Sequence, residues 1–141
     1  MAAGQINTGR VLLGGLVAGV VINASETVLN MFVVATSMED ALKARNLPPV
    51  SNASITVWII LSFLVGIVTV WLYAAIRPRF GPGPGTAVMA ALAVFFLAYV
   101  YQSMGTAAMG FFPANLMYIT LGWGLVELVL ASLAGAWVYR E

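Results

Sequence analysis

Glu26 and Glu127 stand near the middle of long apolar stretches, whereas the six Lys and Arg residues all fall at stretch ends. Placing an acid at a bilayer centre costs at least ~2.5 kcal/mol on insertion scales, so binding or proton chemistry is the first explanation to test. Around Glu26 the polar residues Asn23, Thr27 and Asn30 recur at three- and four-residue intervals, which a helix gathers on one face. Ser62 and Gln102 are polar residues inside two further apolar stretches. Carboxyls with neutral polar neighbours can hold a proton, a cation or a small organic ligand. No Lys or Arg lies within two turns of either acid. Three ways of satisfying the pair remain: protonation, a bound cation, or a water-filled cavity open to one side.

Other chemistries are excluded by residue type. The chain has no Cys and no His, which removes disulfides, thiolate metal sites, imidazole ligation of haem and every Ser-His-Asp arrangement. No metal site and no cofactor is expected. Six basic residues against five acidic ones give a net charge of +1, so nothing points to nucleic acid as a partner.

The elements that must position the acids are membrane helices. Of 141 residues, 62% are hydrophobic and 8% charged, against roughly a quarter charged in a soluble domain. Four apolar segments, about 10–36, 54–76, 86–110 and 113–139, each reach the ~20 residues that span the hydrocarbon as a helix. The expected fold is a single all-α membrane domain over residues 1–141, an antiparallel four-transmembrane-helix bundle whose main partner is the lipid bilayer. Val33-Val34-Ala35 looks like a signal cleavage site, but the run before it is too long and carries Asn23, Glu26 and Asn30, so it reads as a retained membrane helix.

The connections follow from helix start and stop signals. Residues 37–53 form a polar or amphipathic connector. Its first part either extends the first helix or lies on the membrane surface, with Ser37 and Asp40 as a capping box and Pro48-Pro49 as its end. Residues 77–85, rich in Pro and Gly, read as a rigid turn leading to Thr86 as N-cap. Gly110 and Pro113 bracket a tight third turn, making helices three and four antiparallel neighbours. Arg10, Arg77, Arg79 and Arg140 fall on one side and Lys43 and Arg45 on the other, which places both termini in the cytoplasm. A bacterial inner (cytoplasmic) membrane is the expected location.

Each helix carries an interior stripe. Gly15 and Gly19 precede Asn23 and Glu26 on the first, and Gly124, Glu127, Ala131 and Gly135 share one face of the fourth; the glycines read as packing seams. Ser62, Gly66, Thr69 and Tyr73 align on the second helix, and Tyr99, Gln102, Ser103 and Thr106 on the third. At about 1.5 Å per residue, Glu26, Glu127, Gln102 and Ser62 all fall about 20–24 Å from the cytoplasmic end, in one layer. The hydroxyls of Tyr73 and Tyr99 lie on polar stripes, although packing is their expected role. The four tryptophans read as anchors or packing residues.

Three functions fit these residues. The leading expectation is binding or transport of a cation, proton or small organic ligand at a mid-membrane carboxylate site formed by Glu26 and Glu127 with Asn23, Asn30, Gln102 and Ser62. In its four short helices and first-helix acid, the chain resembles the small multidrug resistance transporters. That resemblance implies transport, yet it carries no site residue across, because this chain has a second acid and a longer first loop. The alternatives are a non-catalytic subunit of a larger membrane complex or homo-oligomer, and an enzyme using the carboxyl pair on a lipid or isoprenoid.

Overall fold

The structure is a computed structural model and describes residues 5–139. Its helices are α1 (Thr8–Val28), α2 (Ala35–Lys43), α3 (Asn52–Phe80), α4 (Pro84–Phe95), α5 (Tyr101–Ala108) and α6 (Ala114–Val138). Two π-helical turns, Leu29–Val33 and Phe96–Val100, extend α1 and join α4 to α5. Four runs are long and apolar enough to cross a membrane, Thr8–Val33, Asn52–Phe80, Pro84–Ala108 and Ala114–Val138. The protein is an all-α, four-helix integral membrane bundle.

Local sequence sets the helix ends. Asn7 caps α1 by accepting from the Arg10 N–H at 3.1 Å, and Ser51 caps α3 by accepting from the Ser54 N–H at 3.1 Å. The expected break at 77–85 comes later than the sequence suggests, because Pro78 is tolerated in the last turn of α3 and the helix stops at Gly81, with φ 83°. Thr86 does not serve as an N-cap. Gly83 occupies that position with Pro84 after it, and the Thr86 hydroxyl instead donates to the Gly81 carbonyl at 2.7 Å. Gly110, at φ 69°, ends the third span by a left-handed turn.

The connector also departs from expectation. After the first π turn the backbone breaks at Val34 (φ −111°, ψ 0°), and α2 starts afresh without a side-chain cap. Ser37 lies inside α2, so the Ser37–Asp40 capping box does not form. The helix is held to the bundle at two points. Met38 packs on the cluster of Leu29, Val34 and Leu116, and Arg45 donates to the carbonyls of Ala41 and Gly110, tying α2 to the turn before α6. The Lys43–Glu39 pair on its exposed face, at 2.7 Å, holds the Glu39 carboxyl below and the Lys43 ammonium above their ordinary ranges, a surface contact of little energetic weight.

Both ends of the described chain meet at one end of the bundle. The Asn7 N–H donates to the Tyr139 hydroxyl at 3.2 Å, and the Tyr139 ring stands edge-on to Tyr73 with centroids 6.0 Å apart. The Gly83 N–H donates to the Tyr73 hydroxyl at 3.3 Å, bringing the α3–α4 turn to the same end. Arg140, one of the charges behind the expected orientation, lies outside the described residues.

Packing relies on small residues, as it must where lipid supplies no hydrophobic drive between helices. α1 packs on α3 and α6, and α4 packs on the same two helices. Gly15 and Gly19 abut Gly66 in the α1–α3 seam, where a methyl group on Gly66 would sit 2.5 Å from the Gly15 carbonyl oxygen and 2.6 Å from the Gly19 nitrogen. In the α1–α6 seam, Gly14 meets Gly135, and a methyl on Gly14 would lie 2.7 Å from the Gly135 carbonyl oxygen. Ala87, Ala90, Ala91 and Ala131 line the α4–α6 contact side of the core, which the buried Ser132 hydroxyl fastens by donating to the Ala87 carbonyl at 2.7 Å.

The seam gives a direct test. Gly66→Ala forces backbone against backbone and is expected to destabilise the bundle by roughly 1–3 kcal/mol, the usual range for overpacking. Equilibrium unfolding in mixed micelles reads the loss, and an unchanged midpoint contradicts the close approach of α1 and α3.

Candidate functional site

Glu127 lies near the middle of α6, with thirteen residues of the helix before it and eleven after it. Its side chain is only 2% exposed. One carboxyl oxygen, Oε1, accepts the Tyr99 hydroxyl at 2.8 Å. The other, Oε2, is buried without a hydrogen-bond partner among the described residues. Ser25 on α1 stands beside this carboxyl, close enough to interact with it but outside hydrogen-bond geometry. The Ser25 oxygen is itself held by Trp123, whose indole N–H donates to it at 2.8 Å.

Glu26 is within electrostatic reach of both Glu127 and Tyr99. It is half-buried, and its Oε2 accepts from the Asn30 amide at 2.8 Å, the same amide also donating to the Glu26 backbone carbonyl at 2.8 Å. Neither acid has an ion-pair partner among the described residues. The structure therefore gathers the Glu127 carboxyl, a phenol, an alcohol and an indole from three of the four spans, with the more accessible acid, Glu26, next in sequence to Ser25 on α1.

Local backbone geometry explains how these groups converge. A π turn inserts one residue relative to an α-helix and so rotates the following side chains by roughly 100°. Tyr99 sits inside the turn Phe96–Val100, and the first π turn begins three residues after Glu26. Both distortions flank the acid site. Room for the phenol comes from Gly124, one turn before Glu127, where a methyl group would lie 2.5 Å from the Tyr99 ring. Two apolar clusters lie on either side of the site along the helices. Ile22, Phe95, Leu128 and Ala131 belong to the cluster on the terminal side, and Leu29, Leu116 and Trp123 to the one toward α2.

The remaining sequence candidates have other partners. Asn23 donates to the Gly19 carbonyl at 2.9 Å and the Ile59 carbonyl at 3.4 Å, stitching α1 to α3. The Ser62 hydroxyl donates back to the Trp58 carbonyl at 2.9 Å. Gln102 corrects the expected stripe: it is exposed, in an open cleft with Phe96, Tyr101 and Met104 on the outside of the third span. No residue of α5 is buried, so the third span beyond the π turn stands apart from the core and Gln102 with it. Ser25 and Trp123 are the site residues that the stripes missed. Ser25 lies one position, about 100°, from Glu26. The indole nitrogen of Trp123 was a usable signal, because a buried Trp N–H seeks an acceptor.

The fit of ring to glycine generates a prediction. Gly124→Ala should displace the Tyr99 ring and break its hydrogen bond to Glu127 while α6 stays helical. Ultraviolet resonance Raman of the tyrosine reads the loss as the same spectral change that Tyr99→Phe removes, and an undisturbed Tyr99 signal contradicts the contact. Comparison with protein-family models, with curated proteins and with solved structures gives no match, so the functional reading rests on this geometry.

Proposed function

We propose that the chain is a small polytopic membrane protein that binds a cation, a proton or a small cationic ligand at the Glu26–Glu127 pair and moves it across the bilayer. The setting is a bacterial inner membrane with both termini cytoplasmic, following the positions of Arg10, Arg77 and Arg79. The observation that carries the reading is Glu127, a carboxyl 2% exposed in the middle of a membrane helix with one oxygen unpartnered. A buried carboxyl oxygen left without a partner is an exception that calls for a role beyond joining helices. Glu26, half-buried and within electrostatic reach of the first acid, supplies the contact with the surroundings that an isolated buried acid lacks. The apolar clusters on either side separate the site from each face, and opening one or the other exchanges access.

A second reading, an accessory subunit of a larger membrane complex, has one observation of its own. Every residue from 52 to 61 at the start of α3 is exposed, with Asn23 reaching across to the Ile59 carbonyl. Co-purification of a stoichiometric partner that covers this stretch would favour it.

Glu26→Gln and Glu127→Gln keep the shape of each side chain and remove its charge. Each is expected to leave the protein inserted and folded and to abolish, or lower at least tenfold, pH-driven flux in proteoliposomes. Wild-type flux in both variants across roughly pH 5 to 9, the interval in which perturbed carboxyls titrate, removes the transport reading.

A further inference from the structure

The donors around Glu127 specify what it binds, an inference that rests on the carboxylate site proposed above. A hard metal ion asks for about six oxygen ligands with free lone pairs. Among the described residues no group of three acidic side chains surrounds Glu127, and its oxygen-bearing neighbours are Tyr99, which donates to it, and Ser25, which accepts from Trp123. An organic cation needs a cavity of roughly 300 Å³ or more. Glu127 is instead enclosed, with the Tyr99 ring pressed against Gly124 and no space left for a side chain there. Two open clefts, one along Phe96 to Met109 and one beside α2, have neither acid in their lining.

We propose that the species bound at Glu127 is a proton, and that Tyr99 and the Ser25 hydroxyl oriented by Trp123 are the positioning groups that satisfy the carboxyl with and without it. The indole N–H of Trp123 can only donate, so it takes one lone pair of the Ser25 oxygen and leaves that hydroxyl one hydrogen and one further lone pair. When Glu127 is protonated on Oε2, Ser25 accepts from it. When the proton leaves, the Ser25 hydroxyl rotates and donates to the carboxylate, while Tyr99 donates to Oε1 in both states. The transfer breaks one Glu127 O–H bond and forms one on the acceptor. Glu26, half-buried and held by Asn30, is the neighbouring base within electrostatic reach. Among the described residues no other charged group faces Glu127. α3 carries charge only at Arg77 and Arg79, at its far end, and α4 and α5 carry none.

Infrared titration of the protein in lipid nanodiscs tests this, with the protonated Glu127 carbonyl band identified by its disappearance in Glu127→Gln. Ser25→Ala and Tyr99→Phe should each move proton release to higher pH by about one unit or more, the effect of losing a donor to a charged carboxylate. Ser25→Thr, which keeps the hydroxyl, should restore the wild-type midpoint. Trp123→Phe should shift it in wild type but not further in Ser25→Ala, a non-additivity that a general packing defect does not produce. Sodium, potassium or tetramethylammonium chloride, exchanged at constant ionic strength, should leave the midpoint in place. A midpoint unmoved by Ser25→Ala and Tyr99→Phe, or one displaced by a particular cation, overturns the proposal while leaving a titrating carboxyl. No titrating Glu127 band together with unaltered flux in the glutamine variants overturns the underlying site instead.

Discussion

A carboxyl enclosed among apolar helices without a basic neighbour must be neutralised or hydrogen-bonded, because an isolated ionised carboxylate is far too costly in a low-dielectric interior. Glu127 imposes that demand at the middle of α6, and the surrounding arrangement reads as the response to it. Tyr99 reaches one oxygen across from the third span, Ser25 stands beside the carboxyl from the first, and Trp123 fixes Ser25. None of these groups carries a positive charge. The carboxyl is thus held by dipoles that can turn, and not by an ion pair that would lock it in one state. That distinction separates a site able to gain and lose charge from one built only to join helices.

The close packing elsewhere is what makes such a site possible. In lipid, helices gain nothing by hiding apolar surface from each other, so their seams depend on backbone approach and dispersion. Gly14, Gly15, Gly19, Gly66 and Gly135 bring α1, α3 and α6 together, and Gly124 performs a different task by admitting the ring that reaches Glu127. The same helices then diverge in character toward α2, where α3 and α5 are largely exposed while α1 and α6 stay joined through Leu29, Leu116 and Trp123. A tight terminal half and a looser half near α2 place the site at the boundary between them, next to the two π turns, where a modest change of helix register alters access.

Much of this was legible in the residues themselves. Apolar run length gave the spans, and Gly110, Pro113 and the Gly/Pro turn gave their ends to within a few residues. Charge at mid-span singled out the two acids. The convergence of side chains was less legible, because it depends on which part of each span has a neighbour and on which side. A stripe drawn at 3.6 residues per turn carries Tyr99 and Gln102 together, whereas Tyr99 reaches Glu127 and Gln102 is exposed on α5, no residue of which is buried. Ser25 fell off the stripe because it lies one position from Glu26, on the side of α1 that Trp123 of α6 reaches. The separate α2 helix was only half visible, since good helix formers mark a helix but not the break at Val34 that turns it across the bundle end.

The central claim is that Glu26 and Glu127 act as one coupled site and not as two separate helix contacts. The protonated-carbonyl infrared band of Glu127, followed against pH with Glu26 present and with Glu26→Gln, tests that coupling most directly. Removal of the neighbouring charge is expected to shift both the frequency of the Glu127 band and the pH at which it disappears. A band whose position and titration are the same in both proteins contradicts the account and leaves two unrelated acids in a packed bundle.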